Sequence, residues 1–228
     1  MMTTFILLTI GGYLLGSVPA SMLAAKARGH DLRKVGTHQV GAGNLWRTTS
    51  RRLALIVGIY DFFKGIVMVT IAFRAELDPA QQLTVGLAVI IGHNWPVFLR
   101  FHGGRGIATA AGIILFMPII NDITFWGAVA ALAVLFAGVL VFRSTPVAVL
   151  IGIALQPVFM AAFSEGTSLT LAYLALLLVV IIKRLTAQKN TEGFSTGLGR
   201  VLINRLLYDR DISDGKEWMS RNTKKRAA

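Results

Sequence analysis

The chain of 228 residues is 54% hydrophobic and only 15% charged, with a formal net charge of +12 and a mean hydropathy of +0.64. Such apolarity excludes an ordinary soluble domain and indicates an integral membrane protein, in which excess Lys and Arg marks loops facing anionic lipid rather than a nucleic-acid footprint. Cysteine is absent, so thiol nucleophiles, disulfides and Cys-based zinc sites are excluded.

Seven apolar segments follow one another: Thr4–Ala25, Leu53–Phe73, Leu83–Leu99, Ile107–Ile120, Ile123–Phe142, Val147–Phe163 and Leu169–Ile182. The first has no basic residues ahead of it and several behind, which reads as a retained span rather than a signal peptide. Several segments fall short of the roughly 20 residues a span needs and must extend into their polar flanks. None alternates with period 2, so a barrel is not expected; a helical bundle satisfies the backbone in lipid. The predicted fold is an all-α integral membrane protein, a bundle of seven transmembrane helices over residues 1–188. Residues 189–228 form a cytoplasmic, amphipathic and basic tail.

Loop charges set the orientation. Lys26, Arg28, Arg33, Lys34, Arg47, Arg51 and Arg52 follow the first span, Arg100 and Arg105 the third, Arg143 the fifth, and Lys183 and Arg184 the seventh. The intervening loops carry Glu76, Asp78, Asp122 and Glu165. This alternation predicts an external N-terminus and a cytoplasmic C-terminus. In the tail, Leu198, Val201, Leu202 and Leu206 recur at helical spacing, with Arg200, Asn204 and Arg205 off that stripe, as in a surface-lying amphipathic helix.

Three polar concentrations interrupt the apolar sequence. In the first loop, His30–Thr48, Gly36, Gly41 and Gly43 permit a tight backbone cradle, Thr37, Gln39 and Asn44 offer hydrogen bonds, and Arg47 offers a bidentate anion contact. In the second span, Asp61 and Lys64 share a helix face, so they neutralise one another and point toward the bundle interior. Mutual neutralisation is the structural reading of the pair; in the functional reading Lys64 points into the same cavity as Arg47 and Arg105. The third concentration, Gly92–Thr109, packs His93, Asn94, Arg100, His102 and the run Gly103-Gly104-Arg105-Gly106 between two spans. Glycine-rich backbone with a fixed guanidinium suits phosphate or carboxylate; the competing reading is a tight turn with positive-inside arginines. HExxH and His-x4-Asp patterns are both absent.

Taken together these motifs resemble the bacterial PlsY family, integral-membrane glycerol-3-phosphate acyltransferases that use acyl phosphate. Gly16, Ser17, Pro19, Leu23 and Lys26 match its first-span motif. Asp31, Arg33, Gly36, Gly41, Ala42, Asn44 and Arg47 match its first loop, and Asp61, Lys64 and Gly65 match DxxKG. The long GHxxPxFxxFxGGKGxAT motif is met from Gly92 to Thr109. The resemblance implies acyl transfer from acyl phosphate to the 1-hydroxyl of glycerol 3-phosphate. The product would be lysophosphatidic acid, formed among membrane lipids at the bacterial inner (plasma) membrane by a multi-pass protein without cofactor or metal. It marks His93, Asn44 and Arg105 as catalytic positions. Thr37, Gly41, Arg47, Lys64, Gly103, Gly104, Arg105, Gly106 and Arg143 are marked as binding substrate phosphate.

The departures are specific. Thr37-His38-Gln39 stands where the family has Ser-Gly-Asn, Gly43 replaces Thr, Arg105 replaces Lys, and Pro146 occupies an expected Ser. The family's His-x-x-Asn after the seventh span is absent, the region reading KRLTAQKNTEG. Two alternatives therefore stay open: a relative with another acceptor, or a non-catalytic membrane protein that binds phospholipid precursors. A flippase fits less well, because transporter sites lie near the midplane between repeats.

Overall fold

The computed structural model describes residues 1–140, 145–186 and 197–220. Among them every regular element is helical. In chain order these are α1 (Met2–Ser17), α2 (Ala20–Lys26), α3 (Ala42–Thr48), α4 (Arg51–Arg74), α5 (Pro79–Asn94), α6 (Ile107–Asn121), α7 (Trp126–Leu140), α8 (Thr145–Ala162), α9 (Thr167–Leu185), α10 (Leu198–Tyr208) and α11 (Gly215–Ser220). Each of the seven apolar segments contains one long helix. Five stretches, Met2–Lys26, Arg51–Arg74, Pro79–Leu99, Thr145–Ala162 and Thr167–Leu185, are long and apolar enough to cross a membrane. α6 and α7 are apolar but shorter.

The helices are patterned for lipid outside and small or polar groups inside. On α4, Leu55, Ile56, Ile59, Phe63, Val67 and Ile71 are exposed, while the opposite face buries Ala54, Asp61, Lys64, Gly65 and Ala72. Such a face needs close partners, since lipid gives no hydrophobic drive between helices and contact depends on packing of small residues. α1 lies along α5, α4 along α6, and α7 along α8. At the first crossing a Cβ on Gly16 would overlap the Val89 carbonyl, so this backbone approach demands glycine. Tyr13 on α1 donates its hydroxyl to the Trp95 carbonyl at 3.0 Å, tying the same pair.

One apolar core centred on Val69, Ile90, Ile113, Met117 and Tyr173 joins α4, α5, α6 and α9. A second, smaller one, with Met22, Leu32, Leu45 and Val57, sits beneath the first polar loop and gives it a floor. The inward face of the tail helix α10 is mostly polar. Val201, Asn204 and Arg205 are buried, whereas Leu198, Leu202, Ile203 and Leu207 are exposed. Asn204 and Arg205 find partners only against the protein, and the leucines lie where apolar surface costs nothing if lipid covers it.

Candidate active site

Asn44 organises the first loop. Fully enclosed, it donates to the carbonyls of Leu32, Val35 and Gln39 at 3.0 to 3.1 Å and accepts the Thr37 N–H at 3.0 Å. A single side-chain amide thus satisfies backbone groups on both sides of the Thr37 turn. Breaking it would leave several buried groups without partners.

The second assembly is a buried hub. The Lys64 ammonium donates to Asp61 Oδ1 at 2.8 Å, to His93 Nδ1 at 2.8 Å and to the Gly16 carbonyl at 3.4 Å. Because Lys64 donates, Nδ1 accepts, and the imidazole in this arrangement carries its proton on Nε2. The Lys64 and Asp61 side chains are 1% and 6% exposed. Thr109 on α6 donates to the Asp61 carbonyl at 2.8 Å, so the hub clasps α1, α4, α5 and α6. The glycine run packs on it: the Gly104 N–H bonds the His93 carbonyl at 3.0 Å, and a Cβ there would collide with His93 Nε2.

Above this floor opens a cavity of about 490 Å3. Its walls include Arg33 and Thr37 from the first loop, Gly103 and Arg105 from the glycine run, Lys183 from the end of α9, and Asp209 from the tail. Lys183 is buried, donates to the Asn94 carbonyl and stands over the Trp95 ring, 5.0 Å from its centroid. Arg105 Nη1 donates to the Lys183 carbonyl at 3.0 Å, and Nη2 lies 3.0 Å from the Asp209 carboxylate. Burial lowers the Arg105 pKa from its usual value, with Asp209 opposing. Burial likewise raises the Asp209 pKa, against the pull of Arg105 and Arg184. A smaller hollow, shared by Arg105, Lys183, Ile107 and Val149, leads from the cavity wall toward the helices. Ile107 and Val149 then border an apolar groove between α6, α7 and α8, lined by Ala111, Leu132 and Gly152 among others. The hollow beside Arg105 therefore joins the polar cavity to the apolar groove through Ile107 and Val149.

The comparisons with known proteins identify the family. Residues 6–193 match the family model described as glycerol-3-phosphate acyltransferase. The chain belongs to the glycerol-3-phosphate acyltransferase family. A curated relative from Dehalococcoides mccartyi, named glycerol-3-phosphate acyltransferase 5, is 35% identical across 98% of this chain and 96% of its own length. The enzyme from Geotalea daltonii is 36% identical across 84% of this chain and 96% of its own. Among solved structures, the glycerol 3-phosphate form of PlsY, an integral membrane glycerol 3-phosphate acyltransferase, superposes with a TM-score of 0.73. It is 28% identical over 92% of this chain and 94% of that one. The lysophosphatidic acid form gives 0.71 at 25% identity. This chain is thus a membrane-embedded acyltransferase of that family.

In this family member the structure sends the residues singled out from sequence to different places. Thr37, Gly103 and Arg105 line the large cavity. His93, Lys64 and Gly104 belong to the hub beneath it, Asn44 is enclosed in the first loop, and Gly106 caps the start of α6. Gly41 caps the start of α3. Arg47 is exposed on that helix and bonds the Gly43 carbonyl at 3.2 Å. Lys64 therefore points into the hub rather than into the Arg105 cavity, because its ammonium is consumed by three buried acceptors. Arg143 lies outside the described residues. Sequence reading missed Lys183 and Thr186, three residues apart in KRLTAQKNTEG and both on the cavity wall. A lysine closing an apolar span reads as a topology signal; only its convergence with Arg105 distinguishes it.

Proposed function

We propose that the chain transfers an acyl group from acyl phosphate to the 1-hydroxyl of glycerol 3-phosphate, giving lysophosphatidic acid, on the cytoplasmic face of a bacterial plasma membrane. The observation that carries this is the junction at Arg105: a cationic cavity on one side, an apolar groove between α6, α7 and α8 on the other. One amphiphilic molecule spans both, its phosphate against Arg105 and Lys183 and its acyl chain between the helices. The related PlsY structures in glycerol 3-phosphate and lysophosphatidic acid forms support the same acceptor and product.

Acyl phosphate is already activated, so the protein needs no nucleophile of its own. The acceptor oxygen bonds the carbonyl carbon while the carbon–oxygen bond to phosphate breaks. The acceptor's own phosphate takes the hydroxyl proton, and inorganic phosphate leaves. The protein supplies alignment and charge. Arg105 and Lys183 receive the phosphate of acyl phosphate with Thr37 and Gly103 beside it, and Arg33 receives the other. His93, Lys64 and Gly104 act as positioning residues that hold the glycine run in place, and Asn44 does so for the Thr37 turn. Arg47 and Arg143 add charge at the same face, and the turns at Gly41 and Gly106 bring their helices to it.

All seven long helices span the membrane in this reading, α6 and α7 extending through their polar flanks, with the N-terminus outside and the tail cytoplasmic. Reporter fusions at Asp78 and after Arg226 should report opposite sides; the same side for both would refute the orientation. For the reaction, purified protein given long-chain acyl phosphate and glycerol 3-phosphate should form lysophosphatidic acid and release phosphate, and acyl-CoA should not substitute. Product only with another phosphorylated alcohol would move the acceptor assignment, and no product with any acceptor would favour the precursor-binding alternative.

A further inference from the structure

The family match ends at residue 193, yet residues beyond it wall the cavity. The tail is held there by polar ties. Arg184 donates to the Leu206 carbonyl at 2.6 Å and Arg205 to the Leu185 carbonyl at 2.8 Å. Arg205 also pairs with the buried Asp211 carboxylate at 2.6 Å. These contacts fix the residue that ends α10, Asp209, in left-handed backbone with φ 58°. Its carboxylate faces Arg105, the two side chains being 20% and 14% exposed. Arg105 Nε is buried without a partner, so part of the guanidinium's donor capacity is unspent even with the carboxylate beside it.

We infer that Asp209 is the resident counter-anion of the phosphate subsite at Arg105, and that substrate and product phosphate compete with it for the guanidinium. This rests on the reading of Arg105 given above. A phosphate brings up to about two negative charges and three acceptor oxygens against the single charge of a carboxylate. It can therefore compete with the aspartate for the guanidinium and displace it. A site of two converging cations, Arg105 and Lys183, without an internal anion would retain inorganic phosphate and slow its release. Asp209 sets the affinity at a level compatible with turnover, since tight uniform binding of substrate and product adds nothing to the chemical step. The tail segment thereby acts as a fourth wall that tunes phosphate affinity.

The test is calorimetric binding of inorganic phosphate to the full-length protein in detergent, which does not require turnover. Asp209→Asn removes the charge while keeping a residue type that tolerates left-handed backbone, and Asp209→Gly removes the side chain with no backbone penalty. Both should tighten phosphate binding by about tenfold, the order expected for removing one competing charge at 3 Å in a partly screened site. In turnover they should lower the KM of the substrate whose phosphate sits at Arg105 and lower kcat through slower phosphate release. Unchanged or weaker phosphate binding in these variants would overturn the inference and leave Asp209 a structural tether. Arg105→Ala separates the two levels of argument: if it leaves phosphate binding intact, the subsite itself is wrongly placed. If it abolishes binding while the Asp209 variants match wild type, only the counter-anion role fails.

Discussion

The Asp61–Lys64–His93 hub and the Arg105–Asp209 contact each set a carboxylate against a cation near the same cavity, yet they are built for opposite ends. The hub draws on two rigid helices, its partners are 1% to 11% exposed, and each charge is enclosed by further acceptors or donors. The second contact joins a loop to a tail 104 residues away, keeps a buried donor unspent and lines open space. A charge pair sealed among helices is committed to the fold, because exchanging either partner for a ligand would strand the other in a low-dielectric interior. A pair at a cavity wall can give up its carboxylate to a stronger anion.

The sharpest way to break this comparison is to remove one charge from each. Lys64→Met should strand the buried Asp61 carboxylate and destabilise the protein by about 3–5 kcal/mol, seen as a large drop in melting temperature in detergent. Adding Asp61→Asn to it should recover part of the loss. Arg105→Ala should instead leave melting nearly unchanged and lower turnover by about 100-fold or more, the usual cost of a lost charge-stabilising donor. Equal stability loss in both variants would erase the distinction.

The same contrast explains what could be read from the chain. The seven apolar segments announced their helices, and the three-residue spacing of Asp61 and Lys64 put both on one face, because local periodicity carries that information. His93 as the third member needed α5 to cross α4, which glycine at the crossings permits but does not announce. Lys183 looked like a span-ending topology charge. Asp209 had no local mark at all, since its partner comes from a remote loop. The sequence of α10 reads as amphipathic, but it does not mark which face meets protein, because the partners of its polar face come from other segments. Only Arg205 finding Asp211 and the Leu185 carbonyl decides it.

A substitution of intermediate size sharpens the point for the first loop. Asn44→Ala removes the four bonds that brace the Thr37 turn and should cost about 1–3 kcal/mol of stability, the penalty for buried groups left without partners. Thr37 lies on the cavity wall, so KM for the phosphate substrates should also rise. Asn44→Asp, which keeps the acceptor toward the Thr37 N–H but loses the three donations, should fall with Ala rather than with wild type. If Asn44 instead touched the reacting groups directly, kcat would fall in a protein of unaltered melting temperature.

The smallest effect belongs to the exposed pair in the same loop. Arg33 donates to both oxygens of Asp31, at 3.0 and 2.8 Å, and this hydrogen bonding holds the Asp31 pKa at about 2, below the usual 3.8. A carboxyl whose pKa is depressed by folding stabilises the protein above its unfolded pKa and loses that contribution as pH falls through the folded one. The window here runs from about pH 4 down to about pH 2. Because the Arg33 side chain is 40% exposed, solvent screening keeps the gain at neutral pH below about 1 kcal/mol. Asp31→Asn should therefore melt slightly below wild type at pH 7, with the gap closing as pH drops below 4 and narrowing in high salt. Arg33 also borders the large cavity, so releasing it from Asp31 should change KM for the phosphate substrates by a few-fold at most. A stability gap as large as that of Asn44→Ala, or one indifferent to pH and salt, would mean that this pair belongs with the sealed hub.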